Sequence, residues 1–323
     1  MLRSWSACLP SLAATRLTVD RPLFAEIFSV STTSLAVLGL IINAAAWGLS
    51  WWPFRELQAL GWHPLWSTAV MYGLAVLGVT LWRPSAWAGL VQIKGLWLLA
   101  LGAGLTNVGF NWAVTIGDVV RVVLLFYMML VWSILLAWII LGERPTARSL
   151  LRVGIAIAGV LLVLKTADSP WPIPRSLADY LALFGGFCFA LNNAMLRKLR
   201  DVPADQRTLA MFVGGSAVSA LVGSLGASGA LSALPSIALP SGLPLAGWIL
   251  LIGFGLFFLV SNMTLQYGAA RLKASTTSLI LLTEILFATA SAVALGVSQL
   301  DSRIVIGGSL IVAAALWAAW EER

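Results

Sequence analysis

One acidic side chain, Glu284, lies near the middle of a long apolar segment. On insertion scales, an acid at the centre of a membrane helix costs about 2.5–3.5 kcal/mol, so its carboxyl group must face protein or water. Two interpretations stay open. The carboxylate binds a substrate ammonium group or a proton, or it stays protonated and forms hydrogen bonds with neighbouring Ser or Thr hydroxyls. The association of acids inside apolar segments with function favours the first.

Polar and aromatic side chains recur at helical spacing in another apolar segment. Asn43, Trp47 and Ser50 are separated by four and three residues, which places them on one face of a helix. An asparagine can bind a carboxylate or an ammonium group while a tryptophan one turn away stacks on an aromatic ring. We therefore expect Asn43 and Trp47 to line a cavity, with hydrogen bonding between helices as the competing role for the amide.

Other apolar segments carry further amides and aromatic rings that belong to the same hypothesis. For Tyr72 and Tyr127, packing inside the protein is the competing interpretation. The duplicated amides Asn111 and Asn262 are expected to form packing contacts instead of binding substrate. The residues predicted to bind substrate are Asn43, Trp47, Ser50, Tyr72, Asn107, Tyr127, Asn192, Asn193 and Glu284.

The elements that must position these residues are apolar helices. The chain is 60% hydrophobic and 10% charged, whereas a soluble domain carries about 25% charged residues. About 20 apolar residues are needed to cross a bilayer as a helix, and uninterrupted runs of that length exclude the alternation of a β-barrel. The ten predicted spans are 31–52, 65–82, 94–114, 119–141, 148–165, 178–198, 207–227, 245–267, 273–296 and 303–320.

The two halves of the chain share a repeated segment. Residues 102–117 and 253–268 have five identities at a common offset of 151 residues. Duplicated halves are typical of transporters, whose substrate lies where the halves meet. Since five helices per half is an odd number, the second half must be inverted. The predicted fold is an all-α membrane protein with ten transmembrane helices, arranged as two inverted five-helix repeats around a central cavity.

This reading divides the chain into a cytoplasmic N-terminal tail, 1–30, and two repeats, 31–166 and 175–320. Charged residues interrupt the apolar character of the tail, so we do not expect a cleaved signal peptide. With these spans, 15 of the 20 Lys and Arg residues fall on one side. The positive-inside rule then places both termini in the cytoplasm of a multi-pass inner-membrane protein.

The charge and motif content restricts the possible partners. A net charge of +7 reflects membrane orientation here, and no nucleic acid partner is expected. The sequence has no Gly-x-x-x-x-Gly-Lys-Ser/Thr loop and no His-Glu-x-x-His site, so we expect no cofactor, no metal and no enzymatic activity. The expected partners are a small-molecule substrate and the lipid bilayer, with the protein acting as a monomer.

The Leu-Gly-Glu-Arg-Pro segment at 141–145, followed by a helix that carries Gly154, resembles the EamA type of the drug/metabolite transporter superfamily. Within it, the Trp-rich chain is most similar to the YddG-type aromatic amino acid exporters. The resemblance implies a ten-helix bundle with a central cavity and alternating access. Leu130 and Glu284 stand where that family often has proline, which removes the usual sequence signal for a helix kink.

These observations predict an inner-membrane transporter that exports small amphipathic metabolites, above all aromatic amino acids. A proton-driven exporter of cationic drugs is the first alternative, and in it Glu284 is essential. A membrane-embedded enzyme is the alternative from a different class, but Glu284 has no evident catalytic partner at its depth.

Overall fold

The computed structural model describes residues 31–117, 119–164, 174–230, 237–240, 242–296 and 302–321. Its contacts separate Met1–Ser31 from Thr32–Arg323, and only the second unit is considered below. The predicted N-terminal tail, 1–30, lies outside the described residues, as does most of the predicted junction between the two repeats.

The described residues form fourteen α-helices, one π-helical turn and no β-strands. The π-helical turn spans Ala137–Leu141. The helices are α1 Thr32–Leu49, α2 Trp51–Ala59, α3 Pro64–Trp82, α4 Ala86–Gln92, α5 Lys94–Ile116, α6 Val119–Phe126, α7 Met129–Leu136, α8 Ala147–Leu164, α9 Leu177–Lys198, α10 Ala204–Ala227, α11 Leu245–Ala269, α12 Ala274–Leu281, α13 Glu284–Ala294 and α14 Ser302–Trp320.

Seven helical segments in the described residues are long and apolar enough to cross a membrane. An eighth is the pair formed by α4 and α5, which meet at 101°. The seven segments are Thr32–Ala59, Pro64–Trp82, Arg121–Leu141, Ala204–Ala227, Leu245–Ala269, Ala274–Ser291 and Ser302–Trp320. The predicted spans at 148–165 and 178–198 are helical but are not among them, so the count of ten stays a prediction.

Two of the predicted spans are broken near their middle. The helix over 119–141 is interrupted at Tyr127–Met128, between α6 and α7, and the helix over 273–296 is interrupted at Leu282–Thr283, between α12 and α13. At both breaks the backbone bonds shorten to the spacing of a 3₁₀ turn, as when Met128 N–H donates to Leu125 C=O and Thr283 N–H to Ile280 C=O. A 3₁₀ stretch inside a helix often marks a hinge. Both breaks form without proline.

The same two spans also end alike. Gly142 follows the π-helical turn with φ +71°, and Gly296 follows α13 with φ +71°. Both lie in the left-handed region, where a side chain is costly and glycine is the usual residue after a helix.

The helices of the first and second halves of the chain pack in the same pattern. Helix α5 packs against α9 and α10, and α11 packs against α1 and α3. Helices α6 and α7 lie against α9, while α12 and α13 lie against α1. Two further pairs, α3 with α10 and α8 with α14, join the first half of the chain to the second. The broken helices therefore lie beside α1 and α9, which carry Asn43, Trp47, Asn192 and Asn193 of the predicted site.

Candidate substrate-binding site

Glu284 and Tyr127 meet at the two helix breaks. Glu284 is the first residue of α13 and Tyr127 lies in the break between α6 and α7. The Tyr127 hydroxyl donates a hydrogen bond of 2.7 Å to Glu284 Oε1. One carboxyl oxygen of the half-buried acid thus has a protein partner, and this bond connects the two broken helices across 157 residues of sequence.

Two small voids lie beside this bond. The Glu284 cavity has a volume of about 40 Å³, and its lining comprises Trp47, Thr106, Asn107, Phe110, Asn111, Phe126, Phe189 and Glu284. The amide cavity has a volume of about 30 Å³, and its lining comprises Asn43, Trp47, Tyr72, Ala103, Thr106, Asn107, Phe189, Asn192, Met211, Phe258, Asn262 and Leu265.

The two cavities adjoin, because four residues line both of them: Trp47, Thr106, Asn107 and Phe189. A single water needs about 10–15 Å³, whereas a pocket for a drug-sized ligand measures about 300–1,000 Å³. In this conformation the site therefore has room for a few waters and is closed to an amino acid.

Asn43 and Trp47 occupy the positions that their spacing predicts. The Asn43 amide donates to Ser261 Oγ at 2.7 Å and to Ser261 C=O at 3.0 Å, while its own carbonyl oxygen has no hydrogen-bond partner among the described residues. The Trp47 ring packs edge-on against Phe258 with centroids 4.7 Å apart. Asn43 thus joins α1 to α11 and lines the amide cavity at the same time.

Tyr72 and Asn107 are neighbours across the amide cavity. The Tyr72 hydroxyl donates to Asn107 Oδ1 at 3.4 Å, and the Asn107 amide donates to Ala103 C=O at 2.8 Å. The Tyr72 ring also packs edge-on against Phe212, 4.9 Å away. Tyr72 therefore lines the amide cavity, and its ring also packs against Phe212, which was the competing interpretation.

The remaining predicted residues divide into one that lines a cavity and two that do not. Asn192 lines the amide cavity. Asn193, the next residue, is fully buried away from both linings, and neither polar atom of its amide has a partner in the described residues. Ser50 donates to Trp47 C=O at 2.6 Å, so its hydroxyl is bound to its own backbone at the junction of α1 and α2.

Residue type alone did not reveal several of the residues around the site. Phe189 lies one turn before Asn192 on the same face of α9, and Phe258 lies one turn before Asn262; that spacing is the signal that could have identified them. Asn111 donates to Thr68 Oγ1 at 3.0 Å, as expected for a packing contact, but it also lines the Glu284 cavity.

Asn262, the second amide assigned to packing, lines the amide cavity as well. Its carbonyl oxygen accepts a hydrogen bond of 2.8 Å from Gln266 Nε2, and its amide nitrogen lies 3.8 Å from Met211 Sδ. The structure thus places both duplicated asparagines next to the cavities.

These groups are suited to binding rather than to catalysis. The linings present one carboxyl group, several amides and many aromatic rings. Within the described part of the chain, no cluster of His, Cys, Asp or Glu could hold a metal ion. An ammonium group, a carboxylate and a ring could each find a complementary partner here.

Comparison with known proteins identified one family model and similar solved structures. Residues 34–165 match the EamA-like transporter family. One solved structure, titled "Crystal structure of protein", is similar with a TM-score of 0.71 at 18% sequence identity, covering 89% of this chain and 98% of that chain. At that identity the similarity establishes the fold alone. No curated protein matches the sequence at a significant level.

The match over residues 34–165 supports a relationship of this chain to the drug/metabolite transporter superfamily. The matched family is one of transporters. Together with the apolar helices, the match identifies a multi-pass membrane protein.

Proposed function

We propose that this protein exports small amphipathic zwitterions, above all aromatic amino acids, across the inner membrane by alternating access. The observation that carries this proposal is the pair of adjoining cavities, where the Glu284 carboxyl group, five asparagines and several aromatic side chains converge. An aromatic amino acid has the complementary set of groups, namely an ammonium, a carboxylate and a ring.

Each part of such a substrate has a partner of suitable chemistry. Its ammonium group replaces the Tyr127 hydroxyl as the partner of Glu284, which forms a charge-assisted hydrogen bond. Its carboxylate accepts a hydrogen bond from the amide nitrogen of Asn192, because the Asn43 amide nitrogen already donates twice to Ser261. Its ring packs against Trp47 and Phe258, in place of part of the edge-on contact that these two side chains make with each other.

Transport requires the site to expand, since its present volume is far below that of an amino acid. The breaks at Tyr127–Met128 and Leu282–Thr283 are the places where the two spans can bend. Bending of one span at a time opens the cavities first to one side of the membrane and then to the other. This is the alternating access that duplicated transporters use.

The arrangement of the helices supports an inverted repeat. If the first half is exchanged with the second, α1 corresponds to α9, α3 to α10, α5 to α11, α6 to α12, α7 to α13 and α8 to α14. Every helix contact described above then has a counterpart or maps onto itself. The helix breaks and the left-handed glycines Gly142 and Gly296 occur in corresponding spans. We accordingly propose repeats at 31–166 and 175–320, ten spans and cytoplasmic termini; the segment that matches the family lies within the first repeat.

The test is exchange of labelled tryptophan across proteoliposomes that contain the purified protein. Vesicles loaded with unlabelled tryptophan should take up labelled tryptophan faster than protein-free vesicles. External phenylalanine and tyrosine should compete, whereas alanine should compete weakly. If tryptophan uptake equals that of protein-free vesicles, the proposed substrate class is wrong.

A proton-driven exporter of cationic drugs is the second candidate, because Glu284 is the one acid that lines the two cavities. The same vesicles distinguish the candidates. A pH gradient should leave tryptophan exchange unchanged if transport is uncoupled. Accumulation of a lipophilic cation that depends on the gradient, with no tryptophan exchange, would favour the second candidate.

A further inference from the structure

A groove of about 480 Å³ lies between α3, α10 and α11, away from the two central cavities. It is more than ten times larger than either cavity and is lined mainly by apolar side chains. The lining comprises Gly78, Val79, Trp82, Arg83, Ala204, Asp205, Thr208, Leu259 and Met263. Its size falls within the range of small-molecule sites.

One basic and one acidic residue lie at the same end of this groove. Arg83 follows the last residue of α3, and Asp205 is in the first turn of α10. The Arg83 guanidinium lies 5.3 Å from the centre of the Trp82 ring. Neither charge belongs to an ion pair within the described part of the chain. The groove thus combines an apolar wall with one charge of each sign at its mouth.

A chain of hydrogen bonds leads from the groove to the amide cavity. Thr208 lines the groove and accepts a hydrogen bond of 2.6 Å from Gln266 Nε2. The same Gln266 nitrogen donates to Asn262 Oδ1 at 2.8 Å, and Asn262 lines the amide cavity. Gln266 is 1% exposed, and its own carbonyl oxygen has no partner among the described residues. An unpaired buried carbonyl is costly, so this position is ready to accept a hydrogen bond from a ligand.

We infer that the groove is a lateral entrance, where a zwitterionic amphiphile is taken from the membrane interface before it reaches the central site. This inference rests on the proposed function and names the route of the same substrate class. Asp205 binds the ammonium group, Arg83 binds the carboxylate, and the apolar wall receives the ring. Thr208, Gln266 and Asn262 then supply polar partners between α10 and α11 on the way inward.

The glycines of the bundle offer a matched pair of variants for the test. Gly78 lines the groove, whereas Gly253 lies on α11 outside it. Both glycines are exposed, and a Cβ added at either position would meet no atom within 4 Å. A side chain can therefore begin at either position without a clash at its Cβ. Gly78→Trp places an indole in the groove, whereas Gly253→Trp adds the same side chain outside it.

In tryptophan exchange, we expect Gly78→Trp to lower the initial rate about tenfold, the equivalent of about 1.4 kcal/mol, and Gly253→Trp to leave it near that of the unmodified protein. Equal rates for the two variants and the unmodified protein would overturn the lateral entrance while leaving the proposed function intact. Absence of exchange in the unmodified protein would instead contradict the proposed function.

A thiol-protection measurement tests occupancy of the groove independently of transport. Gly78→Cys and Gly253→Cys are placed in a background with Cys8→Ser and Cys188→Ala, and both are labelled with a membrane-permeant maleimide. Tryptophan should slow labelling at position 78 and not at position 253. If labelling at position 78 ignores tryptophan but changes with the phospholipid headgroup, the groove holds lipid and the inference is wrong.

Discussion

Asp179 and Arg197 lie near opposite ends of α9, and each pairs with an opposite charge at one end of the broken span over 119–141. At one end, Arg121 Nε and Nη2 donate to the two Asp179 carboxylate oxygens at 2.8 and 3.0 Å. At the other end, Arg197 lies 3.7 Å from Glu143 and also donates to Ala270 C=O. Helix α9 and the broken span are therefore joined at both ends, which leaves the break at Tyr127–Met128 as the place where the span can bend.

The two ion pairs should differ sharply in their effect on stability. The Asp179 side chain is 2% exposed and also accepts hydrogen bonds from the backbone N–H groups of Arg175 and Ser176. Breaking a buried ion pair costs about 3–5 kcal/mol, so Asp179→Asn should strongly lower the melting temperature in detergent. The Glu143–Arg197 pair is longer and more exposed, and pairs of that kind contribute about 0–1 kcal/mol. Glu143→Gln is the control, and equal losses in both variants would contradict this ranking.

The sequence was sufficient for the helical architecture and for the inward orientation of Glu284. An acid in an apolar segment must face protein or water. Apolar runs of about 20 residues must form helices, because a helix satisfies its backbone hydrogen bonds within the segment. The break beside Glu284 could not be predicted, because proline, its usual sequence signal, is absent. At the break, backbone hydrogen bonds run from residue i to residue i−3, as from Thr283 N–H to Ile280 C=O. The break also lies beside the contact between Glu284 and Tyr127, which are 157 residues apart in the sequence.

The lining of the site was only partly predictable for a related reason. Asn43, Trp47, Tyr72, Asn107 and Asn192 carry polar or amphipathic groups inside apolar segments, and helical spacing placed Asn43 and Trp47 on one face. Phenylalanines that line a cavity have the same residue type and the same spacing as phenylalanines in a packed core. Ser50 and Asn193 follow the same helical spacing as their neighbours, yet local backbone bonding and close packing keep them out of both linings.

Trp47→Ala should weaken aromatic substrates selectively. An aromatic pair contributes about 0.5–1.5 kcal/mol beyond the buried area, so KM for tryptophan should rise about twofold to tenfold. KM for leucine should change less, because leucine has no ring to stack. Trp138→Ala is the control, since that tryptophan is 52% exposed on the surface of the bundle. A uniform rise in KM for both substrates would assign Trp47 to packing.

His63 should make stability depend on pH. It caps α3, where its Nδ1 accepts a hydrogen bond of 3.2 Å from Leu65 N–H, and burial lowers the pKa of its imidazole to about 4 from 6.5. A protonated Nδ1 cannot accept that bond. Because the folded-state pKa lies below the unfolded value, the stabilisation is complete above pH 6.5 and is lost as the pH falls towards 4.

The variant His63→Asn isolates this effect, because asparagine is also a good helix N-cap and does not titrate. The difference in melting temperature between the unmodified protein and His63→Asn should change between pH 6.5 and 4, with the unmodified protein losing more. A constant difference over that range would show that His63 does not titrate with folding.

The hydrogen bond between Tyr127 and Glu284 predicts opposite effects of two conservative substitutions on substrate affinity. Glu284→Gln removes the negative charge that binds the substrate ammonium, and hydrogen bonds to charged groups contribute about 1.5–3 kcal/mol. KM for tryptophan should therefore rise by at least about tenfold. Tyr127→Phe keeps the ring but removes the donor that occupies Glu284 in the closed site, so substrate no longer competes with it and KM should stay equal or fall.

Exchange kinetics of the two variants and of the double variant measure this relationship. In the double variant, Tyr127→Phe should give no further change, since the carboxylate that it would release is gone. A rise in KM of similar size in both single variants, additive in the double variant, would show that the two residues bind substrate independently and that the bond between them does not hold the closed site.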